Sequence, residues 1–207
     1  MATLYSDGFA GTGALGAEWN SNSASYDRAS DELRHSDTAF QMEPLETTTT
    51  AMAAVADCKV SITARTGAGF SGGPAVRKQS GVADFYYLRV HEAGSGLLVE
   101  RVTDDGATEA NLLTVGSYTH TIGDKLTLEV SGSGATVTLR AYRNDVQVGS
   151  TISDTDAARI TAAGQTGVKA WNYTDTNLFD DFLVEDLAGG GGPTIPIVMH
   201  HRRMMAG

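Results

Sequence analysis

The chain has 207 residues, a formal net charge of −10 and 41% hydrophobic residues, with 24 glycines, 4 prolines and one cysteine. That length suits one all-β domain, and such a body buries about 70% of its unfolded surface, enough to fold without disulfides or metal. The acidity argues against wrapping nucleic acid, Cys58 alone excludes an intrachain disulfide, and no run of about 18 apolar residues is there to cross a membrane as a helix.

From the start, Met1–Gly11 lacks the basic and apolar stretches of a signal peptide, so synthesis in the cytoplasm without ordinary export is expected. Gly11-Thr12-Gly13-Ala14-Leu15-Gly16 matches a dinucleotide fingerprint, but Ala17–Asn22 after it is loop or strand material, so a glycine-rich loop is expected. Tyr26–His35 reads as a helical turn or two. Thr47–Val55 reads as a strand, with a helical turn over 51–56 as the alternative. Cys58, Val60, Ile62 and Ala64 alternate with Lys59, Ser61, Thr63 and Arg65, the period of a half-buried strand that makes Cys58 a core residue.

Gly69-Phe70-Ser71-Gly72-Gly73 matches a nucleophile elbow, yet Pro74 and a strand-like 75–79 follow where a helix is required. Nothing places His91 or Asp84 as partners for Ser71. Asp84–His91 and Leu97–Val102 form one predicted hairpin through Ala93–Gly96. Asp124–Val130 and Ala135–Tyr142 form the clearest one, through Ser131-Gly132-Ser133-Gly134, with Leu126, Leu128 and Val130 opposite Lys125, Thr127 and Glu129. Asp154–Ala163 reads as a short helix with Asp154 as its N-cap. Gly167–Trp171 and Leu178–Leu187 read as the last two strands. Many short strands with Gly, Ser, Asp and Asn turns mean a sandwich or barrel.

Chemistry is sparse. Asp181 and Glu185 share a strand face in this reading, while Asp180 and Asp186 share the other with Phe182 and Val184. They are the best candidates for a glycosidase pair, with a solvated last strand as the alternative. Asp154, Asp156 and Asp175 form no compact calcium loop. Trp19, Trp171 and Tyr173 are candidates for stacking on a sugar ring, with buried packing as the alternative. No catalytic set, cofactor site or metal site emerges.

The tail has a different character. Residues 1–188 hold all 25 acidic and 13 of the 15 basic residues, a net charge of −12, and the remainder holds Arg202 and Arg203 with no acid. The reading divides the chain into a body (1–188), a glycine linker (189–192) and an extended arm (193–207). Pro193, Ile195, Pro196, Ile197, Val198, Met199, His200, His201, Arg202 and Arg203 are suited to docking on another subunit by strand addition or groove filling. A disordered terminus is the main alternative, and soft-metal binding by His200, His201 and the methionines the lesser one.

Leu4-Tyr5-Ser6-Asp7-Gly8-Phe9 with Leu15 and Trp19, and Gly167–Asn172 with Phe179–Leu187, resemble the opening and closing segments of concanavalin A-like lectin/glucanase domains. The resemblance implies an antiparallel jelly-roll β-sandwich with an extended C-terminal arm. That family includes lectins, glycosidases and non-catalytic modules. The glycanase members' strand with two glutamates flanking an aspartate is not matched here, which argues against hydrolysis. The jelly roll, the docking tail and the missing leader resemble structural proteins of tailed-bacteriophage virions. The resemblance implies a capsid decoration protein, anchored by its arm to the major capsid protein or another virion subunit, and homo-oligomeric. A lectin-like module for a host surface glycan is the alternative.

Overall fold

The structure, a computed structural model, describes residues 1–20, 26–35, 45–48, 52–66, 69–91, 96–116, 118–170 and 177–187. The described residues contain strands and no helix. In chain order the strands are β1 (Thr3–Asp7), β2 (Trp19–Asn20), β3 (Tyr26–Ala29), β4 (Glu32–His35), β5 (Leu45–Thr47), β6 (Cys58–Ala64), β7 (Gly72–Lys78), β8 (Phe85–His91), β9 (Gly96–Thr103), β10 (Thr108–Val115), β11 (Lys125–Ser131), β12 (Val137–Arg143), β13 (Val146–Asp154), β14 (Gln165–Ala170) and β15 (Asn177–Asp186).

They form two antiparallel sheets. The first runs β13-β12-β11-β6-β15-β4-β3, with β1 also pairing with β15; the second runs β10-β9-β8-β7-β14-β5-β2. Each presents alternate residues to a shared core. Cys58, Val60, Ile62, Leu126, Leu128, Val130, Leu139 and Val184 come from the first sheet, and Val76, Tyr86, Leu88, Val90, Leu97, Val99 and Val168 from the second. Both predicted hairpins are present: Leu126 pairs with Arg143 and Ser131 with Thr138, while Phe85 pairs with Val102 and His91 with Gly96.

Three local expectations are corrected. Tyr26–His35 is the hairpin β3–β4. Ser30 and Asp31 form a two-residue turn with φ of 56° and 65°, in the left-handed region favoured for tight hairpins, and Asp31 Oδ1 accepts a hydrogen bond from Gly11 N. The strand expected over Thr47–Val55 stops at Thr47, and Val55 makes only an isolated bridge to Gly164. Asp154 does receive the amide of Asp156, as a cap would. However, its carboxylate is committed to Arg101 (2.8 Å) and Tyr86 Oη (2.8 Å), and the segment after it is not helical.

Fully buried Arg77 anchors that segment. Its guanidinium donates to Ala56 O, Ile160 O, Gly132 O and Asp57 Oδ1, so three separate stretches converge on one side chain. At the opposite margin, β10 and β13 abut. Gly149, at φ 72°, lies where a Cβ would meet Leu113 and Val115 side chains at 2.8–2.9 Å, so glycine closes this seam.

Candidate functional site

Several residues singled out from the sequence are structural. Trp19, a candidate sugar platform, is a core residue: only 6% exposed, it packs edge-on to Phe182 and Tyr5, and its Nε1 donates to Asp7 Oδ2 at 2.7 Å. A ring enclosed on these sides cannot stack on a ligand, which corrects that expectation. The Gly11–Gly16 segment is a loop whose Gly13 bridges Arg28 of β3, with no helix after it. Ser71 is buried, its amide donates to Asn177 Oδ1, and it leads into strand β7. Asp84 accepts the amide of Asp105.

The glycosidase pair is also rearranged. Asp181 adopts φ 51°, and the register of β15 on β6 shifts between Asp180 and Leu183. The bulge lets Phe179 and Phe182 both reach the core. Asp180 therefore does not share a face with Phe182, as strict alternation would require. It lies 3.6 Å from Arg65, and exposed Asp181 accepts Thr63 Oγ1. Among the described residues no group of three or more His, Cys, Asp or Glu could hold a metal ion. Trp171, Tyr173, Asp175 and the whole segment from Pro193 through Arg203 lie outside the described residues.

A different cluster emerges on the outer face of the second sheet, the face turned away from the core. Residues alternating with Tyr86, Leu88 and Val90 on β8 are Phe85, Tyr87 and Arg89. Those alternating with Leu97 and Val99 on β9 are Leu98, Glu100 and Val102. Antiparallel register sets Asn111 opposite Glu100, Glu100 opposite Tyr87, Tyr87 opposite Ala75, and Ala75 opposite Gly167. The backbone row continues through Glu46 to Asn20, crossing all seven strands. Lys169 joins the face opposite Gly73. The small residues Gly73, Ala75 and Gly167 make a low floor beside it. Ala75, Ala83, Phe85, Tyr87 and Val102 form a second apolar cluster.

Burial is graded across this face. Lys169 and Tyr87 have no exposed area, Glu100 and Arg89 are 4% and 5% exposed, and Glu109, Asn111 and Thr114 on edge strand β10 are exposed. The face is covered at its centre and meets solvent along β10. Within it Arg89 Nη1 lies 3.4 Å from both Glu100 Oε2 and Tyr87 Oη. Lys169 Nζ stands over the Phe85 and Tyr87 rings at 4.9 and 5.0 Å.

The electrostatics follow from burial. Removal from water lowers the Lys169 ammonium to about 8, against the opposing pull of Glu109 and Glu100. Partial loss of hydration beside its neighbours, aided by Glu100, raises the Glu109 carboxyl above its ordinary value although the residue as a whole is exposed, while Lys169 holds it back. Burial also pushes the Tyr87 phenol upward, and the Glu100 carboxylate adds to that. Four charged groups and one phenol thus form a compensated donor and acceptor array. It offers hydrogen bonds in both senses, and nothing in it resembles a nucleophile poised beside a base.

The sequence held a faint signal for this face. Phe85–Val90 is apolar or aromatic on both faces apart from Arg89, which is unusual for a strand with a solvated side.

No protein-family model matches the chain, and no curated protein sequence matches it. Solved structures do. The carbohydrate-binding module CBM66 from Bacillus subtilis superposes with a TM-score of 0.60 at 13% identity, covering 82% of this chain and 96% of that one. The CBM2 module of the evolved Dit of Lactobacillus casei BL23 phage J-1 gives 0.51 at 11%, covering 88% and 95%. Xylan β-1,4-xylosidase from Bacillus halodurans gives 0.55 at 17%, covering 88% of this chain but 39% of that one. The fold is a jelly-roll β-sandwich. At these identities the likeness establishes architecture alone.

Proposed function

We propose that this chain is a non-catalytic, lectin-like module that binds glycan along the β10 border of this outer face. The observation that carries the reading is the Asn111–Glu100–Tyr87 row with Arg89, which ends in exposed Asn111 on edge strand β10. Two of the structural neighbours are carbohydrate-binding modules matched over nearly their whole length, which supports the same reading. The bulge at Asp181 and the compensated charges of this face argue against hydrolysis.

A glycan array probed with the whole chain tests it. Binding is expected, and Asn111→Ala should weaken it at least tenfold while Arg140→Ala, on the other sheet, leaves it intact. Silence across the array, or indifference to Asn111→Ala, would refute the reading.

A second reading concerns where the module acts. The match to a module of a phage protein favours a virion component, such as a capsid decoration protein. In that reading residues 193–203 dock on the major capsid protein or another virion subunit, and the assembled form is a homo-oligomer. Deleting residues 189–207 should abolish incorporation into particles; unchanged incorporation would refute it.

A further inference from the structure

Resting on the reading that residues 193–203 dock on another subunit, we infer that this arm adds as a strand to the free edge of β13 on a second copy of the chain. Among the described residues β13 ends the first sheet: it pairs with β12 on one side, and no backbone hydrogen bond joins its other side to β10. Such an edge presents unpaired N–H and C=O groups, and natural sheets blunt it with short strands, charged side chains or proline. Of the other three edges, β2 has two residues, β3 has four with Asp27 and Arg28 among them, and β10 carries Glu109. β13 has nine residues, and Val146–Ser153 holds no charge and no proline. Ser150, Thr151 and Ser153 are exposed, and Val146 keeps 68% of its exposure. Val148, Leu113 and Val115, half-buried where β13 meets β10, offer apolar contact beside the edge.

The arm matches this edge in pattern and charge. Ile195 and Ile197 alternate with Thr194 and Pro196, the period of a strand with one apolar face. An edge strand tolerates proline where its nitrogen faces away from the partner, and there proline also stops a further strand from adding. Asp145, in the turn before β13, accepts Lys125 at 2.9 Å yet keeps 73% of its side-chain exposure. It lies seven residues before Ile152, the spacing that separates Ile195 from Arg202. An antiparallel strand with Ile195 beside Ile152 therefore brings Arg202 and Arg203 to the turn that holds Asp145, where opposite charges meet.

Within one chain the arm would have to cross the sheet. Register places Asp186, Cys58, Val130, Leu139 and Ile152 in one row, so a strand outside β13 lies five strand spacings from β15, about 24 Å away. The six residues between Asp186 and Pro193 include four glycines, and a flexible tether of that length averages about 15 Å between its ends. A neighbouring copy takes the arm with the tether relaxed.

Sedimentation velocity of the whole chain, from about 1 to about 100 µM, tests this beside two variants. Thr151→Lys puts a charge on the exposed edge, and deletion of residues 189–207 removes the arm. The whole chain is expected to self-associate, and each change should weaken association at least tenfold. A mixture of the two variants is expected to recover a one-to-one complex, because the arm of the first meets the intact edge of the second. A whole chain that stays monomeric, association indifferent to either change, or a mixture that fails to pair would overturn the inference. Particle incorporation separates it from the arm-docking reading. Incorporation lost on deletion of 189–207, with the whole chain monomeric, removes β13 as the receiving edge and leaves the arm docked on a different subunit. Unchanged incorporation together with unchanged self-association removes both.

Discussion

The two outer faces of this sandwich use similar residues in opposite ways. On the first sheet, register sets Arg140 opposite Glu129, Glu129 opposite Lys59, and Lys59 opposite Glu185, a ladder of alternating sign. Arg140 retains 36% of its side-chain exposure and Lys59 19%, and Lys59 also covers the Tyr142 ring at 4.4 Å. On the second sheet the charges are withdrawn from water and pressed against aromatic rings. Exposed ladders are screened and replaceable, whereas recessed charges depend on every partner. The difference marks which face is scaffold and which is specialised.

That contrast can be broken by removing one charged group from each face. Glu100→Ala removes the carboxylate facing buried Arg89 and should cost about 3 kcal/mol or more in urea unfolding, as for other buried pairs broken on one side. A loss below about 1 kcal/mol would mean that water or another partner already satisfies the guanidinium. Next in size is a pH effect. Folding lowers the Lys169 ammonium to about 8, so between about 8 and the unfolded value near 10.4 the unfolded chain binds more protons than the native one. Stability should therefore rise with pH across that window, and the rise should vanish in Lys169→Met.

Smaller still, Arg140→Ala removes a half-exposed rung and should cost about 0.2–1 kcal/mol, weakening further in salt. The least effect belongs to the interior that both faces share. Burial pushes the Cys58 thiol up to about 12, so thiol reagents should label it only after unfolding. Rapid labelling of the native chain would show that the core opens locally.

The scaffold face was legible in the sequence because its alternation is plain. Lys125, Thr127 and Glu129 read as the polar face against Leu126, Leu128 and Val130, and β11–β12 forms as expected, although Thr127 and Glu129 are covered by neighbouring side chains rather than open to water. The β3–β4 hairpin was not, because Ser30-Asp31 is a weaker turn signal than Asn-Gly and the spacing of Tyr26 and Leu33 also suits a helix. The bulge at Asp181 escaped because alternation carries no mark of an inserted residue, only of the faces beside it. The charged outer face of the second sheet was least legible of all. Its row draws on positions 75, 87, 100, 111 and 167, which only long-range pairing brings together, and its strands look apolar on both faces. Trp19 was drawn to attention by its size, while its partner Asp7 and its neighbour Phe182 lie far from it in sequence.

The pairing of β1 with β15 has a mechanical consequence. Thr3 lies opposite Glu185, and Ala2 O accepts the amide of Asp186 at 2.8 Å, so residues 2 and 186 sit at one corner of the body. Tension applied between those two points runs across the strands rather than along them. The β1–β15 ladder would peel rung by rung from Ala2 toward Asp7, at low force, while the rest of the sandwich carries no load. Tension entering from one side only would leave that seam closed, so the direction of pull decides whether the body yields or holds.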